Sequence, residues 1–454
     1  MFKKIPQHLV VTGSAWIGRG VIALVQLFSI RVLLEGLGGE RYAVFVLLNA
    51  FIAWYMLADM GVGASLQNHI SEERVRGGNE GRYQVLGALV AVPLLALTIG
   101  LLYLLSPYLS NVLFKLFPFM GGPEKARLFF LSGMLFLGLA IGSIAYKVWY
   151  AQHKGHLSNI IPAIGAVIGL GLVSVVMHQR WDVQTKLIWG VVAFTCPATL
   201  FSLGAFVVQL TSFSKARWRP DTVILPQFIA RSLKFWLLAL LATAALNVDY
   251  LIISQYLSPH EIVVYGVTSR LFGFVAYFYT SLYAALWPLF TEAITRNNWK
   301  RVKVYIVKAF LFSAGIIVSF TLFLLVFMPS IANLLSPREK LDVPLLFILL
   351  LGIYHLLLTW SHGFAVVLQS MSDVRFLVVW GAAQALLSML FQVLFVQLWG
   401  IYGITLGLIA SFVLTAVWVI PNRVRRHSML AMDRARRPTA RPELQANGRF
   451  VDRI

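Results

Sequence analysis

The sequence predicts an all-α polytopic membrane protein of about twelve transmembrane helices, on three observations. Of 454 residues, 59% are hydrophobic and only 12% charged, about half the charged share that a soluble domain carries. Apolar runs of roughly 20 residues, the length that spans a hydrocarbon core, recur along the chain. The charges collect in the short stretches between those runs. A soluble enzyme of one to three domains is excluded.

The first run, 9–34, follows Met1-Phe-Lys-Lys, which has the charge of a signal-peptide n-region. It is too long for a signal peptide and has no small-residue cleavage site, so it reads as an uncleaved first span. Spans 41–66, 84–105, 127–150, 158–178 and 187–210 complete a set of six. A second set follows at 232–257, 262–288, 304–328, 344–369, 376–397 and 400–421. The last two are separated only by Gln397-Leu-Trp-Gly400, which must turn within a few residues. Gly138-x3-Gly142, Gly165-x3-Gly169 and Gly403-x3-Gly407 let helices approach closely, which signals packing. From Asn422 to Ile454 the chain is rich in Arg and poor in apolar residues, and it reads as a disordered tail against the anionic leaflet.

Basic residues set the orientation. One alternate set of gaps holds Lys3, Lys4, Arg74, Arg76, Arg82, Lys154, Lys215, Arg217, Arg219, Arg296, Lys300, Arg301, Lys303 and Arg375, fourteen bases before the nine Arg of the tail. The other set holds seven: Arg41, Lys115, Lys125, Arg180, Lys186, Arg338 and Lys340. Both termini are therefore expected in the cytoplasm. The net charge of +20 follows from this bias and does not indicate nucleic acid. The single Cys196 excludes disulfides and thiolate metal sites. No metal-binding His/Cys cluster, phosphate loop, nucleophile elbow or catalytic carboxylate pair stands out, so neither a cofactor nor an enzymatic activity is expected.

A shift of 220 residues superimposes Leu37 on Leu257, Val44 on Val264, Phe45 on Tyr265, Leu66 on Leu286, Glu72 on Glu292 and Arg76 on Arg296. Spans 1 and 2 fall on spans 7 and 8, so the chain divides as six plus six. Residues 1–210 form one helical bundle, 211–231 a cytoplasmic linker, 232–421 a second bundle and 422–454 the tail. Transporters often place the substrate between such repeats.

At these segments a family resemblance emerges. Leu37-Gly-Gly-Glu-Arg-Tyr-Ala-Val-Phe and Leu57-Ala-Asp-Met-Gly-Val-Gly-Ala-Ser-Leu resemble the early spans of polysaccharide flippases of the MOP superfamily, the Wzx or polysaccharide-transporter type. Asn247-Val-Asp-Tyr-Leu-Ile-Ile-Ser-Gln-Tyr-Leu, with Glu261, Tyr265-Gly and Ser269-Arg-Leu, is similar to the start of their second lobe. The resemblance implies two six-helix bundles forming a V around a central cavity. It implies a flippase that moves an undecaprenyl-pyrophosphate-linked oligosaccharide across the bacterial inner membrane. Expected partners are that lipid-linked glycan, membrane lipids, a polysaccharide polymerase and chain-length machinery.

Ionisable residues inside spans are costly, roughly 2.5–3.5 kcal/mol at mid-helix on insertion scales. Arg19 lies midway along span 1 and shares a helix face with Gln26. It is read as an anion contact in a hydrated cavity or as the ion-pair partner of Asp59. Arg31 is nearer the outer end, where it can snorkel. Asp249 and Arg270 lie at similar depth, which suits a structural ion pair; Asp59 and Asp249 are also candidates for a coupling-ion site, for H+ or Na+. Lys147, Arg231 and Lys234 sit in cytoplasmic end turns, where they either snorkel or contact a lipid phosphate at the cavity mouth. Arg19, Arg270, Arg31, Lys147 and Lys234 are thus the candidate substrate contacts. His355 and His362 share a face of span 10, suited to packing or to a proton relay. The span 8 aromatics Phe272, Phe274, Tyr277, Phe278, Tyr279 and Tyr283 suit packing or sugar stacking.

Moving a pyrophosphate through an apolar barrier needs cations, and Arg meets phosphate with a two-pronged fork. A cation exporter of the same superfamily would favour an acidic cavity. A membrane polysaccharide polymerase or ligase would need a large outward loop with Arg or His, and the longest one expected here, Ser106–Ala126, carries only Lys115 and Lys125 in that role. A scaffold without transport activity is a further alternative.

Overall fold

The computed structural model describes residues 7–211, 224–337, 341–371 and 373–436. Lys3, Lys4, Lys215, Arg217, Arg219, Arg338, Lys340 and the tail beyond Arg436 lie outside these residues. The regular elements described are all helical. The first half comprises α1 (Gln7–Leu37), α2 (Gly39–Ala50), α3 (Ile52–Tyr55), a 3-10 turn (Met56–Asp59), α4 (Val62–Arg76), α5 (Glu80–Leu113), α6 (Gly122–Gly142), α7 (Ile144–Ala151), α8 (Gly155–His178) and α9 (Val183–Thr211). The second comprises α10 (Leu225–Asn247), α11 (Asp249–Tyr256), α12 (Pro259–Thr295), α13 (Trp299–Leu335), α14 (Leu345–Ser370), α15 (Val374–Leu414) and α16 (Ala416–Arg436). Among the described residues, 11 helical stretches are long and apolar enough to cross a membrane. The last, Arg375–Ala431, is 57 residues long and folds back on itself, which makes twelve passes.

The fold-back falls where the sequence requires a turn. Gly400 takes φ 53° and ψ −130°, outside the helical region and costly for a residue with a Cβ. A Cβ on Gly403 would lie 2.0 Å from the Phe395 carbonyl oxygen, and one on Gly407 would lie 2.6 Å from Gln392 N. Positions after Gly400 thus meet positions before it in reverse order, as in an antiparallel hairpin. Between helices surrounded by lipid tails, close contact of this kind replaces the hydrophobic drive available in water. The other two glycine pairs also sit at helix contacts, Gly142 against the Ser202 backbone and Gly169 against the Phe194 carbonyl.

Span 2, expected as one helix over 41–66, is broken. Met60 and Gly61 adopt left-handed φ of 44° and 74°, and the Asp59 carboxylate accepts from Gly61 N at 2.8 Å and Gly63 N at 3.3 Å. These contacts satisfy N–H groups left free at the start of α4. The break admits α10, which passes so near that a Cβ on Gly61 would meet the Ser232 carbonyl oxygen at 2.2 Å. In the second half the interruption comes earlier and is milder, at Val248 between α10 and α11, where φ −70° and ψ −24° stay helical, while α12 runs unbroken for 37 residues behind a Ser258–Glu261 capping box. The two copies still end alike: Gly77 (φ 68°) follows α4, and Asn297 (φ 54°), 220 residues on, follows α12.

Two boundaries differ from expectation. α10 starts at Leu225 with Pro226 in its first turn, ahead of the predicted 232, so the linker is shorter than 211–231. α5 runs on to Leu113, which reduces the loop expected over Ser106–Ala126 to 114–121.

The reading of Asn422 onwards as a disordered tail is corrected over its first part, because α16 continues to Arg436. Ala416, Ile420 and Val424 are buried at helical spacing, and Trp360 Nε1 donates to the Val417 carbonyl at 3.1 Å. Asp373 Oδ2 accepts from Arg423 Nε at 2.7 Å and lies 3.0 Å from His427 Nε2, while the Arg423 guanidinium sits 5.0 Å from the centre of the Phe376 ring. The hydrogen bond from Arg423, helped by His427, holds the Asp373 carboxyl below the usual carboxylate range. Arg density masked a buried stripe.

Gly403→Ala is expected to destabilise the purified protein by about 1–3 kcal/mol, as overpacking does. Gly381→Ala, which meets nothing within 4 Å, should leave the thermal midpoint unchanged or raise it. A carboxyl with a lowered folded pKa stabilises above its unfolded pKa and loses that contribution as pH falls through the folded value. A spin label at Ser428 should therefore be immobile at neutral pH and gain mobility only below the usual carboxylate range. In Asp373→Ala it should be mobile at both; pH-independent mobility in the parent would refute the contact.

Candidate functional site

The candidate site lies where the two halves face each other along α1 and α12. Trp16, Arg19, Gly20 and Ala23 on one helix and Phe274, Tyr277, Phe278 and Ser281 on the other line a cavity of about 210 Å³. Both sets recur at three-, four- and seven-residue spacing, so each falls on one helix face. The Trp16 and Phe278 rings meet edge to face at 6.5 Å. Arg19 Nη1 donates to Ser281 Oγ at 3.4 Å, a long bond that uses one of five donors. The site therefore offers a largely unspent guanidinium, three aromatic rings from α12 and a hydroxyl.

The Arg19–Asp59 pair is not formed. Asp59 is engaged with the α4 backbone, and the side chain beside it is that of Lys147: a Cβ on Gly63 would lie 3.0 Å from Asp59 Oδ2 and 3.2 Å from Lys147 Cγ. The Asp249–Arg270 pair is also not formed directly. Asp249 is buried, accepts from the Tyr265 hydroxyl and accepts from Tyr250 N at 2.9 Å. Arg270 instead donates from Nη1 to Tyr42 Oη at 2.8 Å, across the seam from α12 to α2. Close by, Val46 packs on Gly266, where a Cβ would lie 2.5 Å from Val46 Cγ1.

Arg31 is tied to Glu35 at 3.0 Å on an exposed face and does not line the Arg19 cavity. Lys234 lies in a separate groove between α10 and α15. Arg231 forms a two-pronged bridge to Glu72 of α4, at 2.6 and 3.0 Å. With Trp236 Nε1 donating to the Leu57 carbonyl at 3.0 Å, it fastens α10 to the first half.

The span 8 aromatics divide by face. Phe274, Tyr277 and Phe278 look onto Arg19, whereas Phe272, Tyr279 and Tyr283 are buried in the second half. There Tyr279 Oη lies 3.2 Å from His355 Nδ1, the His355 ring stacks on Phe272, and His362 meets Tyr283 edge on. The histidines are packed among rings. Trp16 and Ser281 escaped the sequence reading, although each lies on the helical stripe of a residue that it had singled out. Glu72–Arg231 and Tyr42–Arg270 had no local signal, because their partners are 159 and 228 residues apart.

Comparison with known proteins bears on this geometry. The MatE family profile matches residues 237–394. A Yersinia pseudotuberculosis protein named for O-antigen export is 34% identical over 429 residues, covering 93% of this chain and 97% of its own length. A Salmonella typhimurium protein named as an O-antigen transporter is 32% identical over 418 residues, covering 92% and 96%. Among solved structures, an inward-facing multidrug-resistance transporter of the MATE family superimposes with TM-score 0.71 at 15% identity, over 90% of this chain and 96% of that one. The lipid II flippase MurJ superimposes with TM-score 0.69 at 12% identity, over 92% and 90%. These structures share the two-lobed helical fold. The chain is a multi-pass membrane protein and belongs to the family of these O-antigen transporters.

Proposed function

We propose that this protein is a flippase that carries an undecaprenyl-pyrophosphate-linked oligosaccharide from the inner to the outer leaflet of the bacterial inner membrane. The Arg19 cavity carries the reading, because its walls belong to different halves and its one charged lining group is a cation. Arg19 would meet the pyrophosphate through paired N–H donors, Ser281 would accept or donate beside it, and the α12 rings would stack on sugar. An acidic cavity, which a cation exporter would favour, is not what lines this seam. A periplasmic polymerase or ligase is disfavoured by the short 114–121 loop.

On this reading the two bundles rock about the seam. Their substrate-facing walls are α1 and α12, and Arg270–Tyr42 is a clasp that must part when the cavity opens at that end. Asp249 accepts from Tyr265 and from the α11 backbone, Asp59 accepts from the start of α4, and these two acids are the candidates for H+ or Na+ coupling. Arg31, Lys147 and Lys234 leave the inner substrate shell. The partners are the lipid-linked glycan, membrane lipids, and the polymerase and chain-length proteins that receive the product outside. Both termini face the cytoplasm.

Losing a charged hydrogen bond costs roughly 1.5–3 kcal/mol, so Arg19→Ala should slow export on the order of tenfold to a hundredfold while the protein still accumulates. Arg19→Lys should retain part of the activity. The measurement is the build-up of lipid-linked oligosaccharide on the inner leaflet, and wild-type export by Arg19→Ala would sink the proposal. A tag at either terminus should be reachable only from the cytoplasm and a cysteine at Lys115 only from outside; the opposite labelling would reverse the assigned direction.

A further inference from the structure

The groove between α10 and α15 is open along one side and has a volume of about 930 Å³, within the size range of small-molecule sites, roughly 300–1,000 Å³. It exists because α10 is poorly covered: only 11% of its apolar window Leu225–Ala244 is buried, against 67% for Gly122–Ala151. Phe235, Leu238 and Val379 give it apolar walls, and Arg231, Lys234 and Arg375 lie at one end. Those three residues belong to the early turns of two helices that start on the same membrane face, the one the basic bias assigns to the cytoplasm. Arg231 is spent on Glu72, and Asp373, two residues before Arg375, is held by Arg423 and His427. Lys234 and Arg375 are exposed and form no ion pair among the described residues. An apolar trough capped by two unspent cations at headgroup level is complementary to a lipid with an anionic phosphate head.

We infer that this groove holds one resident anionic phospholipid of the cytoplasmic leaflet. A transported lipid needs a site whose access changes as the halves move. The walls of this groove, α10 and α15, lie apart from the α1–α12 cavity in which the substrate is proposed to bind. That suits a lipid which stays. Its seat beside the Arg231–Glu72 bridge places it where it braces α10 against the bundle.

The test uses the purified full-length protein in phosphatidylethanolamine nanodiscs titrated with phosphatidylglycerol, with bound lipid counted by native mass spectrometry. The wild type should retain one phosphatidylglycerol in preference to phosphatidylethanolamine. Lys234→Gln with Arg375→Gln should weaken retention on the order of thirtyfold, the product of about fivefold for each surface cation removed. Lys234→Arg with Arg375→Lys should restore it. Leu238→Trp, which fills the trough without changing charge, should also expel the lipid; if that variant does not fold, the charge variants decide alone. Wild-type retention by the Gln pair, or equal retention of the two lipids by the wild type, would overturn the inference. So would displacement of phosphatidylglycerol by purified polyprenyl diphosphate with an affinity that the Gln pair weakens, since the groove would then serve the transported lipid. The readout is bound lipid, so it stands or falls separately from the transport reading.

Discussion

An ionisable side chain at membrane depth must have its charge met from within the protein or by water in a cavity, because hydrocarbon offers it nothing. In this chain each solution shapes the backbone. Asp59 is met by the N–H groups of its own chain, which requires the helix to break and turn left-handed at Met60 and Gly61. Asp249 is met by a tyrosine hydroxyl and the backbone at the start of α11, just after the Val248 break. Arg270 and Arg231 find their partners in the opposite half, so the polar seams between halves are also where charge is neutralised. Among the described residues Arg19 makes one hydrogen bond, a long one to a hydroxyl, and a cavity lies against it.

The two halves follow one plan but place their flexible points differently. The first half turns left-handed within its second span, whereas the second half only interrupts its first span, at a Val248 that stays helical. As a result a kinked segment, α2 to α4, faces a straight one, α12, on one side, and the straight α1 faces α12 on the other. α12 therefore touches the first half twice, at Tyr42 and at Arg19, as a single rigid rod. Motion between halves has to act on both contacts together.

Hydropathy alone places twelve passes, since spanning hydrocarbon leaves little freedom in length or composition. The Gln397–Gly400 turn was legible because two long apolar runs left no other place for it. The break at Asp59 was not: its signal is a carboxylate two residues before a glycine, which reads equally well as a buried acid in a continuous helix. The α16 extension was hidden because its apolar stripe of Ala416, Ile420 and Val424 is interleaved with arginines. Arg19 stood out by depth, whereas Ser281 and Trp16 are ordinary residues until another helix is laid beside them. Ion-pair partners inferred from matching depth, Arg19 with Asp59 and Asp249 with Arg270, went astray because depth says nothing about azimuth around the bundle.

The contact of Asp373 with Arg423 has a bearing on synthesis. Fifty residues separate the two, and the intervening chain is the whole of the Gly400 hairpin. Asp373 leaves the ribosome early and has no guanidinium to meet until the last helix is complete and correctly threaded. The contact can therefore close only after the hairpin has reversed, so it ties the last helix to the start of the one before it.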